Sequence, residues 1–296
     1  MTSETREVFG RVGIWSGALH PSKVDAAGKA AIAEAVAELE ALGYGTLWIG
    51  GSPSPDDAAA IVDATRTATV ATGILSIWDH TAEEVAARVA ALEASARGRF
   101  VLGLGVSHGP MVPRYAKPYS AMVAYLDALD TAEPSVGPGR RVLAALGPKM
   151  LELAAGRALG AHPYLVTTAH TAEAREALGP GALLAPELSV VLDTDLDRAH
   201  ATARAMLAMY LKLPNYTDNL LRLGFAESDF DGGGSVRLLD ALFALGDADR
   251  VKARAREYFD AGADHVALQV VAAGGKRDGL PLAEWRELAD AFGDEL

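Results

Sequence analysis

A glycine-rich apolar run that ends in two polar residues is the part of this sequence best suited to chemistry. Residues 100–106 are all apolar or glycine, and Ser107 and His108 follow them directly. Histidine is the side chain best suited to proton transfer near neutral pH. Glycines in a strand let a ligand approach the backbone closely. We therefore predict that His108 is a catalytic proton donor or acceptor, although a histidine here can also make a purely structural hydrogen bond.

Several other motifs for known chemistries do not match. Gly103 and Gly105 fit the start of the dinucleotide fingerprint G-x-G-x-x-G, but His108 stands where its third glycine belongs. The sequence contains no H-E-x-x-H or G-x-x-x-x-G-K, which argues against zinc proteases and P-loop enzymes. We expect no metal site. The turn at residues 146–150 leads into a helix and is either a phosphate-binding turn or an ordinary one.

Composition excludes some partners. The chain has 296 residues, half of them hydrophobic, and a net charge of −12, which disfavours binding to nucleic acid or to anionic membranes. It has no cysteine, so disulfides and thiolate nucleophiles are excluded. Neither a signal peptide nor an apolar run of membrane-spanning length is apparent. We expect a cytoplasmic protein that acts on a small molecule.

Apolar strand patterns alternate with helical patterns along the whole chain. The predicted strands are residues 12–15, 46–49, 69–77, 100–106, 142–146, 163–167, 188–192 and 266–271. Eight strands, each followed by a helix, predict a (β/α)8 TIM barrel formed as one domain by residues 1–296. An open doubly wound sheet shares this alternation and stays an alternative. Residues 211–246 depart from the alternation of strands and helices, and we predict that they form an insertion between strands seven and eight.

Polar and aromatic side chains cluster at the predicted strand ends. In a barrel, the carboxyl ends of all strands meet at one rim, where active sites form. The residues expected there are Trp15, Ser16, Gly50, Gly51, Ser52, Ser76, Trp78, Asp79, His80, Ser107, His108, Gly147, Lys149, Thr167, Thr168 and His170. Such a rim suits a planar ring ligand. The competing interpretation is that these are ordinary turn residues.

Three longer runs resemble a known family. Residues 71–78, 100–108 and 146–155 are similar to the luciferase-like monooxygenase superfamily, and most similar to its actinobacterial branch of F420-dependent oxidoreductases. Residues 118–122, 170–175 and 213–216 fit that branch as well, so the resemblance covers nearly the whole chain.

This resemblance implies a TIM barrel that binds coenzyme F420, or alternatively FMN, at the strand ends. It also implies a cis peptide between Gly73 and Ile74 behind the cofactor ring, and a homodimer. The positions matching cofactor contacts in the family are Gly73, Ile74, Ser76, Val106, Ser107, Leu146, Gly147, Thr167 and Thr168.

One departure from the family affects the chemistry. Several F420-dependent members carry an acidic residue and a histidine after strand two, where this chain has Gly50, Gly51 and Ser52. His108 is therefore the leading candidate for proton transfer. The residues predicted to contact substrate are Trp15, Trp78, His170 and Tyr216.

Three functions remain open at this point. The first is an F420-dependent oxidoreductase that transfers a hydride between the deazaflavin and a small organic substrate. The others are an FMN-dependent luciferase-like monooxygenase and a non-catalytic protein that binds a flavin or deazaflavin.

Overall fold

Strands and helices alternate along the chain in the computed structural model, which describes residues 9–273 and 279–296. Within these residues the strands are β1 Val12–Ser16, β2 Thr46–Gly50, β3 Thr69–Gly73, β4 Leu75–Ser76, β5 Phe100–Gly105, β6 Arg141–Leu143, β7 Gly160–Ala161, β8 Leu183–Leu184, β9 Glu187–Leu192, β10 Phe243–Gly246 and β11 Val266–Val270. The α-helices are α1 Ala26–Ala41, α2 Pro55–Ala64, α3 Ala82–Ala96, α4 Pro118–Thr131, α5 Pro148–Arg157, α6 Thr168–Leu178, α7 Leu196–Tyr210, α8 Pro214–Arg222, α9 Val236–Leu242, α10 Ala248–Asp260 and α11 Leu282–Phe292.

The strands form one parallel sheet that curves into a barrel. Their order is β10-β9-β11-β1-β2-β3-β5-β6-β7-β8, with β4 beside β5. Strand β8 is the last in this order and β9 is the second, next to the end strand β10, yet only Ala185 and Pro186 separate β8 from β9 in sequence. The backbone N–H of Asp264 donates to the Leu184 carbonyl and that of Ala267 to the Pro186 carbonyl, at 2.9 and 3.0 Å. Strands β8 and β9 thus act as one bent strand, and the predicted barrel is confirmed.

Side chains point alternately to the two faces of each strand, and they form one hydrophobic core on each face of the sheet. Ile14 and Leu47 face the helices and belong to the large cluster between the sheet and the helical layer. Trp15, Trp48 and Ala71 lie side by side in register and fill the barrel interior.

The sequence prediction for strand six was wrong. Residues 163–167 are not a strand; Gly160–Ala161 pairs with β6 and β8 instead. Pro163 has no N–H to donate, and Leu165 adopts a positive φ of 54° that bends the chain. The Leu165 N–H instead donates to the buried carboxylate of Glu187 at 3.1 Å.

The predicted insertion contributes to the sheet as well as covering it. Residues 211–246 include helices α8 and α9, but β10 at their end pairs in parallel with β9, which the sequence analysis missed. The short strand β8 was missed too. Leu213 and Tyr216 in this segment pack on Leu165 and Val271, so the segment covers one side of the barrel mouth.

Candidate active site at the strand ends

The predicted third strand is interrupted at the barrel mouth. The Gly73–Ile74 peptide is cis, as the family resemblance implied. Strand β3 ends at Gly73, and β4 resumes at Leu75, which pairs with Leu104 of β5. Ile74 is half-buried, whereas both of its neighbours are buried. The interruption therefore presents one apolar side chain at the mouth.

The glycines of β5 are required by the neighbouring strand. A Cβ on Gly103 would lie 1.9 Å from the Thr72 carbonyl oxygen, and one on Gly105 would lie 2.3 Å from Ile74 Cδ1. Thr72 Oγ1 also donates to the Gly103 carbonyl and accepts from its N–H, both at 2.8 Å. The expectation that these glycines make room for a ligand is therefore replaced. They make room for the Thr72 backbone and for the side chain of Ile74.

Trp15 lies against the end of β3. Its indole N–H donates to the Gly73 carbonyl at 2.9 Å, and a Cβ on Gly50 would meet its ring at 2.5 Å. The Trp15 side chain is 6% exposed. Gly50, at the end of β2, is thus needed to seat this ring.

Trp15 also borders a cavity of about 240 Å³ at the carboxyl ends of β1 and β11. The residues lining it are Trp15, Ser16, Gly17, Gln269, Val270, Ala272, Gly279, Leu280, Pro281 and Glu284. The cavity is therefore at the rim where a barrel places its chemistry.

A row of rings connects this cavity to His108; we call Trp15, Tyr164, Tyr216 and His108 the aromatic row. The successive ring centroids are 5.3, 6.5 and 5.3 Å apart. The sequence analysis named the other three residues but missed Tyr164, because it placed residue 164 in a strand. The structure brings together Trp15, Tyr216 and His108 from β1, α8 and the end of β5.

His108 is held by the segment that follows β9. Its Nδ1 lies 3.0 Å from Asn215 Oδ1, and its ring packs on Tyr216. An amide oxygen accepts, so Nδ1 carries the hydrogen and Nε2 is left as the proton acceptor of the neutral ring. Burial lowers the pKa of His108, and the hydrogen bond to Asn215 partly opposes this shift. The imidazole is therefore biased towards its neutral form.

Trp78 supports the chain just before His108. Its indole N–H donates to the Val106 carbonyl at 2.6 Å, and its ring lies 5.9 Å from that of Tyr115. Val106, Ser107 and Trp78 are all half-buried, and Ser107 has a positive φ of 55°. The chain turns sharply at Ser107 and leaves these side chains facing the rim.

His170 lies behind the rim, where it is fully buried. Its Nε2 is 2.9 Å from the Leu146 carbonyl, and Thr167 Oγ1 accepts from its backbone N–H to cap α6. Burial lowers the pKa of His170. In place of the predicted contact with substrate, the His170 ring contacts the Leu146 carbonyl and fixes the turn after β6. Thr168, near His170 in sequence, is half-buried.

The turn after β6 ends in an open helix terminus. Gly147 is the N-cap of α5 and has no side chain to cap it, while Gly147, Pro148 and Lys149 are exposed. Pro148 has no N–H and the Met150 N–H donates to the Gly147 carbonyl, so the Lys149 N–H and the helix dipole are the features that attract an anion here. Lys149 adds a formal positive charge, so this terminus is suited to a phosphate.

Ser76 joins a small polar network across the end of β2. Its backbone N–H donates to Ser52 Oγ at 3.0 Å, and the Ser52 hydroxyl donates to Asp79 at 2.6 Å. Ser76 itself is buried, so its predicted cofactor contact would be made beneath the rim.

A buried histidine–carboxylate pair, which the sequence analysis missed, lies between the β1 loop and α2. His20 Nδ1 is 3.3 Å from Asp57, whose carboxylate also accepts from the backbone N–H groups of Ser22 and Ser54. Burial would raise the pKa of Asp57, but the hydrogen bonds from His20, Ser22 and Ser54 hold it well below its usual range.

Two further histidines fill the barrel interior, which the sequence analysis also missed. The ring of His162 stacks on Trp48 at 4.0 Å, and the Trp48 indole donates to His265 at 3.1 Å. Burial lowers the pKa of both histidines to about 4, so both are neutral near pH 7.

The described part of the chain contains no group of three or more metal-ligating side chains placed to hold an ion. No helix in it combines the length and apolarity needed to cross a membrane.

The sequence matches the family model for luciferase-like monooxygenases over residues 11–265. The chain belongs to this family. Its assignment to the actinobacterial branch stays a prediction. No curated protein matches the sequence.

Solved structures of this family share the fold at low sequence identity. An F420-dependent secondary alcohol dehydrogenase in complex with an F420–acetone adduct is 12% identical, with a TM-score of 0.72 over 95% of this chain and 98% of that one. The coenzyme F420-dependent tetrahydromethanopterin reductase of Methanopyrus kandleri is 16% identical, with a TM-score of 0.66 and 98% of both chains covered. The FMN-bound oxygenating constituent of 3,6-diketocamphane monooxygenase from Pseudomonas putida is 13% identical, with a TM-score of 0.68 and 97% of both chains covered.

Proposed function

We propose that this luciferase-like protein is an oxidoreductase that binds coenzyme F420 at the carboxyl ends of β3 to β6. It would transfer a hydride between the deazaflavin and a small organic substrate. The observation that carries the proposal is the break between β3 and β4, where the half-buried Ile74 lies at the barrel mouth.

The residues at this rim fit such a cofactor. Ile74, Val106 and Leu146 are half-buried and apolar, as a surface for a flat ring should be. The open terminus of α5 and Lys149 would hold the phosphate of the cofactor tail. The same features fit FMN, which also carries a ring and a phosphate.

The chain itself would supply proton transfer and exclusion of water. A bound deazaflavin accepts or donates the hydride. Asn215 keeps hydrogen on Nδ1 of His108, so Nε2 is free to take a proton from an alcohol, or to return one to a carbonyl. Trp15, Trp78 and Tyr216 would flank the substrate, and the segment containing α8 covers one side of the mouth.

A titration of the purified protein with F420, FMN and FAD tests the cofactor. We expect F420 to bind at least about tenfold more tightly than FMN, a difference of about 1.4 kcal/mol. Lys149→Ala should weaken F420 binding by about three- to tenfold, because it removes a charge beside the phosphate. Arg97→Ala, at the far end of α3, removes an exposed charge elsewhere and should leave the affinity unchanged.

The alternatives predict different outcomes. Tight FMN binding without F420 binding would favour a monooxygenase like the FMN-bound neighbour. Binding of F420 without turnover of any compound in a broad screen of alcohols and ketones would favour the non-catalytic protein.

A further inference from the structure

Gln269, the only glutamine of the chain, has an unsatisfied amide in the cavity wall. Its oxygen accepts from the Tyr164 hydroxyl at 2.8 Å. Its nitrogen finds no hydrogen-bond partner among the described residues, although the side chain is only 1% exposed. A buried donor without a partner is costly, so such a group calls for an explanation.

Neighbouring residues fix this amide in place. Gln269 is in register with Ser189, so its side chain points into the barrel, at the mouth end of β11. The Tyr164 hydroxyl that holds its oxygen is itself 2.9 Å from the Tyr210 hydroxyl. The amide nitrogen is therefore a pre-oriented donor and not a flexible surface group.

The cavity around Gln269 is small, and the described residues that line it carry little charge. Its volume of about 240 Å³ is below the roughly 300–1,000 Å³ of sites for drug-sized ligands. Glu284, in the first turn of α11, is the only ionisable residue among the described lining residues. A carboxylate at the wall disfavours an anionic ligand.

We propose that this cavity is a binding site for a small uncharged molecule whose carbonyl or hydroxyl oxygen accepts a hydrogen bond from the Gln269 amide. Gln269 then determines which compounds enter, because an analogue without the oxygen leaves the amide unsatisfied. As a substrate site, the cavity rests on the proposed function, since Trp15 links it to the end of β3.

Ligand-observed NMR on the full chain without added cofactor tests this site separately from the cofactor. The probes are cyclohexanone and methylenecyclohexane, which have the same ring and differ in the oxygen. We expect cyclohexanone to bind about five- to tenfold more tightly, the effect of one hydrogen bond to a buried group. Gln269→Leu should abolish the difference, and Gln269→Met serves the same purpose if the leucine variant does not fold.

Asn219→Leu is the matched control, because it removes another buried carboxamide, one that accepts from Arg222 on α8. This variant should keep the preference for cyclohexanone. Equal binding of the two probes, binding of neither, a preference that survives at Gln269→Leu, or tighter binding of cyclohexanecarboxylate would each overturn the proposal. None of these results depends on which cofactor binds, so the two proposals fail separately.

Discussion

His108 acquires its chemical character from a residue more than a hundred positions away. Asn215 fixes the hydrogen on Nδ1, and Tyr216 covers the ring face. Burial lowers the pKa of His108 and the hydrogen bond to Asn215 raises it, so these two effects on the pKa oppose each other. The result is an imidazole that stays neutral at lower pH than a free histidine and presents Nε2.

Removing Asn215 should therefore lower the pKa of His108 further. In Asn215→Leu the burial persists while the hydrogen bond that favours the charged ring is lost. We expect the NMR titration of His108, and the acid limb of the pH–rate profile, to move to lower pH. A shift to higher pH would contradict this arrangement.

Replacing His108 itself should reduce turnover. His108→Gln keeps a polar side chain but cannot transfer a proton, so kcat should fall by about 10²- to 10⁴-fold. Cofactor affinity should change little, which separates a chemical role from a structural one. Unaltered kcat would remove His108 from the mechanism.

At the scale of elements, the contact between β3 and β5 shapes the rim. The strands approach so closely that Gly103 meets the Thr72 backbone and Gly105 meets the Ile74 side chain. These two glycines are alike in sequence but differ in what a methyl group would displace. A backbone carbonyl in a strand cannot move aside, whereas the end of an isoleucine can rotate.

The two alanine substitutions should therefore behave differently. Gly103→Ala should destabilise the fold by on the order of 3 kcal/mol or more, because the strands must separate. Gly105→Ala should cost roughly 1 kcal/mol but displace Ile74, and so weaken cofactor binding. Chemical denaturation and cofactor titration measure both effects; equal losses of stability would contradict the distinction.

At the scale of the whole molecule, neutral histidines occupy the centre of the barrel. His162 Nδ1 donates to the Ala185 carbonyl and His265 Nδ1 donates to the Gly10 carbonyl, while Trp48 lies between the two rings. Protonating either ring would place a charge in a fully buried interior. The barrel core is thus sensitive to pH.

Stability should therefore fall on acidification between pH 6.5 and about 4. The pKa of both histidines is about 4 in the fold and near 6.5 in the unfolded chain, so the unfolded chain binds more protons in this window. The contribution of each neutral histidine to the free energy of unfolding is fully present above pH 6.5 and is lost as pH falls towards 4. We expect this loss to be on the order of 1–3 kcal/mol for each histidine. Denaturant titrations across this range measure it, and His162→Phe should reduce the slope. A free energy of unfolding that does not change between pH 6.5 and 4 would contradict this prediction.

The sequence by itself determined the (β/α)8 barrel. Hydrophobic alternation predicted most strands, and the runs shared with the family implied the cis Gly73–Ile74 peptide. Local patterns carry this information because strand and helix periods depend on near neighbours.

Only the tertiary structure decided what the chemically interesting residues touch. His20 pairs with Asp57, His108 with Asn215, and Gln269 with Tyr164. Each of these contacts joins segments that are far apart in sequence. Periodicity also failed at residues 163–167, where a proline and a positive φ at Leu165 bend an apolar run out of the sheet. Burial and hydrogen-bond partners arise from packing between elements, so a single sequence does not disclose them.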